Sequence, residues 1–408
     1  MNVHDALPIS CTFMHVSRHT IPSNKKITHA KFVCDIKLFK TETHRVHLTV
    51  GGDKLTYNVY PRSPSISLLD LKIHLNSVIS DARKGARYLT ADIINYYLRN
   101  PMENYQYMRI PLKEIPNEVL VEYSLLSLAD PSGYVFVKIR KGLYGLKESS
   151  IISYKRLIRN LQPHGYAPVS HTPGLWTHTT LPTTLTLAVD NSGINLFATD
   201  DATHLLDMLR KNYSLTVNPS GSKYCGLTIN WSYPGNYVNI SMPNVICKAL
   251  EIFQHATTTH PQHSPHKRLV QAYGSKVQCS PNASTAPALD KRGITCVQSI
   301  SGTFLYIVHA VDPTVIVTLN DIGDEQASTP TDTIHKTKML MDYAATKPDA
   351  VIRFHASDTC LHIDSDFAYL IQPKSRRCAA GHFYLSDNPP SENTRPTPSP
   401  NGPVLTKC

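Results

Sequence analysis

The sequence predicts an α+β fold on three observations. Residues 185–197, LTLAVDNSGINLF, alternate apolar and polar side chains at period two, break at a turn and resume, which is a β-hairpin. From residue 89 the segments run strand, helix, hairpin, helix, hairpin, so antiparallel strands alternate with helices that cover one side. The chain is 408 residues long and 41% hydrophobic, enough for two or three domains with buried cores.

Taken in order, residues 1–24 carry little periodicity. ITHAKFVCDIKLF (27–39) and VHLTV (46–50) read as strands, with Gly51, Gly52 and Asp53 as a turn. Residues 65–81 set Leu68, Leu71, Leu75, Val78 and Ile79 at helical spacing behind a Ser65 or Ser67 cap. In YLTADIINYYLRNPM, residues 89–93 are a strand and 95–99 a short turn or helix stopped by Pro101. YVFVKI (134–139) is a strand. In the following loop, Gly142 and Gly145 allow close backbone approach to a ligand. Residues 151–161 form an amphipathic helix with Lys155, Arg156 and Arg159 near one face, by default a solvated one.

Within the hairpin, Asn191, Ser192 and Gly193 supply the expected turn. Asp200 and Asp201 cap a helix over 202–213. Strands at 224–233 and 237–242 flank Pro234-Gly235-Asn236, and Pro243 opens a helix to residue 253. Prolines interrupt the four histidines at 255, 260, 263 and 266, so a linker is expected there rather than a metal cluster. Helices over 297–308 and about 331–345 follow, then strands at 350–355, 360–364 and 381–385. A short polar stretch, Asp364-Ser365-Asp366, separates the last two. The Pro/Ser/Asn-rich tail from residue 386 predicts disorder.

Lys and Arg number 41 against 31 Asp and Glu, a net charge of +10 that favours a polyanionic partner, although no dense basic arm stands out. The nine cysteines are scattered with no C-x-x-C pair, which argues against a disulfide frame or a zinc site and for an intracellular protein. The N-terminus lacks a secretory pattern and no apolar run is long enough to span a membrane.

The chemistry centres on two acids. Asp190 stands at the hairpin tip and Asp92 at a strand end about 100 residues upstream, a pairing suited to divalent metal against phosphate. Each also has a plain reading, Asp190 as a polar turn residue and Asp92 as a helix cap. Tyr97, five residues past Asp92, fits either the mouth of such a site or the core.

Read together, segments in fixed order resemble the reverse transcriptase of copia-type LTR retrotransposons, across roughly residues 25–385. They are HRVHLTVGGDKL, YLTADIINYYLRNPM with YQYMRIPL, VKIRKGLYGLKES, HGYAPVSHTPGLWTH, LTLAVDNSG, YCGLTINW, ISMPNVICKALEIFQH, SGTFLYIVHAVDPT and LHIDSDFAYL. The resemblance implies a right-hand polymerase with fingers, palm and thumb, then a connection region and an RNase H-like α/β end. It implies RNA-directed DNA synthesis with Mg²⁺ or Mn²⁺, on an RNA template and RNA/DNA duplex, from deoxynucleoside triphosphates. The place of action would be intracellular, in a cytoplasmic particle or the nucleus.

By the same resemblance Asp92 and Asp190 are the first two of three palm carboxylates that hold two metals, and the third position is Asn191. Tyr97 matches the aromatic that screens ribose from deoxyribose. Arg45 and His47 lie where the family contacts the triphosphate, and Glu148 stands where it usually has Gln. Asp364 matches the first RNase H carboxylate. After Asp366 only Asp387 and Glu392 remain as acids, so no RNase H activity is expected. The implied layout is an irregular segment at 1–24, then fingers, palm and the start of the thumb at 25–254. A linker at 255–290, thumb and connection helices at 291–349, a truncated RNase H-like region at 350–385 and a disordered tail at 386–408 follow.

Two metals about 4 Å apart carry a +4 charge that carboxylates must compensate. Asn offers one neutral carbonyl oxygen. The expectation is therefore a degenerate fragment of a longer polyprotein with impaired catalysis. The alternatives are a non-catalytic nucleic-acid-binding remnant and an inert remnant that folds poorly.

Overall fold

A computed structural model describes residues 12–36, 44–55, 57, 63–256, 260–266, 284–326, 329–372, 376–388 and 398–408. The elements begin with β1 (Phe13–His15), β2 (Ile27–Ile36), β3 (His44–Val50), α1 (Leu68–Ser80), β4 (Arg87–Ile93) and β5 (Pro101–Pro111). Next come α2 (Asn117–Glu122), β6 (Tyr134–Lys141), α3 (Lys147–Leu161), β7 (Tyr166–Pro168), β8 (Leu175–His178), β9 (Thr184–Ala188) and β10 (Asn191–Leu196). Then follow α4 (Thr199–Arg210), β11 (Leu215–Asn218), β12 (Lys223–Tyr224), β13 (Leu227–Ser232), β14 (Tyr237–Ser241) and α5 (Val245–Ile252). The chain closes with α6 (Lys291–Ala310), α7 (Ile316–Asp324), α8 (Thr333–Thr346), β15 (Val351–His355), β16 (Cys360–Gln372), β17 (Arg376–Ser386) and β18 (Pro403–Lys407).

These elements form two compact units that interleave along the chain. The first takes Met1–Ile66, Ala91–Ile194 and Thr199–Val217, and the second Ser67–Thr90, Asn195–Ala198 and Asn218–Cys408. The cut falls within β4 and β10.

A five-stranded sheet, order β1-β6-β5-β2-β3, belongs to the first unit. Its pairings are antiparallel except β2 with β5, which run parallel. Alternation along β6 sends Val135, Val137 and Ile139 to one face, where they join Phe13, Leu48, Val50 and Met108 in a core. A second sheet has the order β11-β4-β10-β9-β8-β7. Beside it, α3 packs against α4 and β7. Trp176 of β8 is fully buried, with the Tyr154 ring of α3 edge-on at 5.9 Å.

In the second unit, α1 starts as its cap foretells. Ser67 Oγ accepts from the Asp70 N–H at 3.1 Å, and Leu71, Leu75, Val78 and Ile79 face the core. The helix packs on β14 and β15 of a sheet ordered β12-β13-β14-β15. Helices α6, α7 and α8 pack on one another, and β16-β17-β18 form a three-stranded sheet.

Several expectations change. The N-terminal segment is not wholly irregular, because β1 pairs with β6. Asp200 and Asp201 lie inside the first turn of α4, where carboxylates suit the helix dipole, rather than ahead of it. Asp364-Ser365-Asp366 does not interrupt a strand: β16 runs straight through it, each residue in register with β17. The end of the tail is not disordered, since β18 completes that sheet by pairing with β17. His255 is no mere linker residue: its Nε2 lies 2.8 Å from Asp342 of α8, an acid 87 positions away that no local pattern links to it. Among the described residues no helix is long and apolar enough to cross a membrane.

Candidate functional site

The hairpin β9–β10 turns earlier than the Asn-Ser-Gly run suggests. Val189 and Asp190 form a two-residue turn, and Asn191 already opens β10. Val189 adopts a φ of +61°, while Asp190 has no positive φ, the pattern of a type II′ turn. A two-residue loop of that hand matches strand twist, which is why it displaces the longer turn. The cost is a β-branched residue in the left-handed region, an outlier of a kind that clusters at functional sites.

That turn is stitched to β4. The Ile93 N–H donates to the Asp190 carbonyl at 2.9 Å, so the strand end carrying Asp92 abuts the hairpin tip carrying Asp190. Ala91 and Ile93 are each 2% exposed, and alternation turns half-buried Asp92 to the opposite face. Burial raises the Asp190 carboxyl above its ordinary range. The raising is opposed by hydrogen bonds from its own backbone and from Asn191, whose Nδ2 donates to Asp190 Oδ1 at 2.9 Å.

Tyr144 lies within electrostatic reach of both acids. Burial, then the charges of Asp190, Tyr97 and Asp92, push its hydroxyl up to about 12. One phenol therefore feels both carboxylates. Its ring meets Tyr97 in a T at 4.9 Å, and the Tyr97 hydroxyl is itself raised by burial and then by Asp190. Tyr96 lies beneath, 2% exposed, against Tyr97 and Tyr213. Tyr213 in turn accepts from Asn160 of α3 at 3.3 Å and feels the nearby charges of Arg156 and Arg159.

The loop holding Tyr144 owes its place to two glycines. The Val50 N–H donates to the Tyr144 carbonyl at 2.9 Å. Gly145 sits at φ +94°, and a Cβ there would run into the Val50 carbonyl. A Cβ on Gly142 would fall 2.8 Å from the Tyr97 carbonyl oxygen. Both glycines thus permit the chain to close on itself, where the sequence suggested approach to a ligand.

Arg45 and His47 lie two positions apart on β3, in register with Asp35 and Val33 of β2, and His47 is half-buried. The Arg45 side chain lies outside the described residues. Glu148 stands in the first turn of α3, where its charge reaches the Tyr57 hydroxyl, which also accepts from the Lys147 N–H at 3.3 Å. Asp364 is in the second unit, exposed on β16 opposite His382, and its charge reaches Tyr384. Tyr144 had no assigned role in the sequence; its only local signal is an aromatic between two glycines.

The strand end carrying Asp92 and the turn carrying Asp190 adjoin through the Ile93 bond, and the amide nitrogen of Asn191 is turned to Asp190. Among the described residues no group of three or more His, Cys, Asp or Glu is placed to hold a metal ion.

No protein-family model matches the chain and no curated protein matches it. Among solved structures it is similar to a foamy viral protease-reverse transcriptase in complex with double-stranded DNA, at 10% identity and a TM-score of 0.46. The match covers 92% of this chain and 50% of that one, so the chain spans half the length of its structural neighbour.

Proposed function

We propose that the chain is a reverse-transcriptase-like polymerase of copia-type descent whose nucleotidyl-transfer site is impaired. The observation that carries this reading is the bond from Ile93 to the Asp190 carbonyl, which sets the two motif acids at one corner beneath Tyr97 and Tyr144. The ordered motifs supply the substrate class: deoxynucleoside triphosphates added to a primer on an RNA template. Arg45, His47 and Glu148 would face the nucleotide and Tyr97 its sugar.

The impairment follows from Asn191. Its amide nitrogen donates to one Asp190 oxygen and brings no charge, so Asp92 and Asp190 would offer Mg²⁺ or Mn²⁺ two anionic ligands where the chemistry needs three. His47 and Glu148 weaken triphosphate binding further, the one by a pH-dependent charge, the other by repulsion. Asp364 stands exposed on β16 with Asp366 on the same strand.

Primer extension on an RNA template, with Mg²⁺ or Mn²⁺, tests the proposal. The chain as it stands should give little product, and Asn191→Asp should restore synthesis. Robust synthesis by the unmodified chain overturns the impairment, and silence from both overturns the polymerase reading. A second reading, a non-catalytic duplex-binding protein, draws on the charge of Arg156 and Arg159 near Tyr213 and on the net charge of +10. Its mark would be retention on filters that falls steeply with salt.

A further inference from the structure

Beneath the five-stranded sheet of the first unit lies a cavity of about 130 Å³. Its floor is apolar: Phe13 of β1, Leu48 of β3, Ile110 of β5 and Val137 of β6. Leu125 and Leu128, just past α2, cover it, and Leu128 is 39% exposed at the rim.

One wall residue breaks the pattern. His15 lines the cavity, and its Nε2 is buried with no hydrogen-bond partner among the described residues. The ring is held there by β1, which pairs His15 with Val137 and is fastened beyond its end by the Val16 N–H on the Phe136 carbonyl at 3.0 Å. A buried ring nitrogen left without a hydrogen bond is costly, so a site of this kind favours an occupant that satisfies it.

Water is a poor occupant. An ordered buried water needs two to four polar partners, and apolar cavities of about 150 Å³ stay dry yet accept a benzene-sized molecule. We propose that this cavity is a binding site for a small, mainly apolar molecule of phenol size whose single polar group hydrogen-bonds His15 Nε2. The site is independent of the Asp92–Asp190 corner and of any polymerase activity.

Phenol and toluene, matched in size and differing in the hydroxyl, are the probes. Calorimetric titration of the full chain should show one site that binds phenol at least tenfold more tightly than toluene. In His15→Leu the two affinities should converge, because the nitrogen is gone while the apolar walls remain. Val137→Phe should abolish both by filling the space. If that variant loses its cooperative unfolding transition, Leu128→Trp at the exposed rim takes its place, blocking entry without touching the sheet. Equal binding of phenol and toluene by the unmodified chain, binding of neither, or phenol binding that survives a blocked cavity overturns the proposal.

Discussion

The two units bury ionisable groups of opposite kind. In the first, burial acts on an acid and raises Asp190. In the second it acts on two bases of α1: Lys72 is lowered to about 8 and His74 to about 4, each by desolvation. Lys72 is 2% exposed and donates to the His309 carbonyl at 2.6 Å, and the His74 ring meets Tyr88 at 5.9 Å, 60° from parallel. The difference lies in what the charge is for. The Asp190 carboxylate is held by an amide beside tyrosines, whereas the two bases sit inside a helix–sheet contact, where His74 is neutral at pH 7 and Lys72 keeps most of its charge and directs it to the His309 carbonyl.

The signs follow by linkage. A base whose folded pKa is depressed leaves the unfolded chain holding more protons between the two values, so stability rises with pH across that window. For His74 the window runs from about 4 to 6.5, and for Lys72 from about 8 to 10.5. A buried acid runs the other way: stability falls as pH rises from the ordinary carboxylate value toward the raised folded one.

The largest effect that sharpens this contrast is on His74. Urea unfolding should lose about 3 kcal/mol between pH 6.5 and pH 4 that His74→Leu retains. If the two chains track each other through that range, the ring is not buried neutral. Next is the acid corner. Asn191→Asp should raise RNA-templated extension on the order of a hundredfold, about 2.7 kcal/mol of barrier, and Asp190→Ala in that background should return it to the starting level. An unchanged rate in the double variant would mean that Asp190 takes no part.

A smaller change is expected from Lys72→Met. Removing a charge disfavoured at pH 7 should stabilise the fold by about 1 kcal/mol after the lost bond to His309, and should flatten the rise between pH 8 and 10.5. Denaturant midpoints at pH 7 and pH 10 check both. Smallest is Asp364→Ala, exposed on β16, which should shift stability by less than about 0.5 kcal/mol and leave extension in the Asn191→Asp background untouched. A marked loss of synthesis there would give β16 a part in the reaction.

Local chemistry was legible in the sequence where the signal is local. Ser67, the apolar stripe of α1 and the two arms of the hairpin read correctly because caps and periodicity act over a few residues. The turn did not: Asn191-Ser192-Gly193 has better turn composition than Val189-Asp190, and only the pairing of β9 with β10 decides between them. Partners distant in sequence were also hidden. Nothing near Ile27 announces a parallel bond to β5, and nothing in a Pro-rich tail announces β18. At the site, motif order pointed to Asp92 and Asp190. Tyr144 stayed invisible because its role comes from where Gly142 and Gly145 let the loop settle.

The interleaving of the two units bears on how the chain is made. The first unit draws its last residues from Thr199–Val217, so its core cannot close until the ribosome has released the chain through Val217. Helix α1, synthesised far earlier, must wait longer still for β14 and β15, the last of which begins at Val351. A nascent chain of this design exposes apolar faces through most of its translation, and it should depend on holdase chaperones more than a protein of equal size built from consecutive blocks.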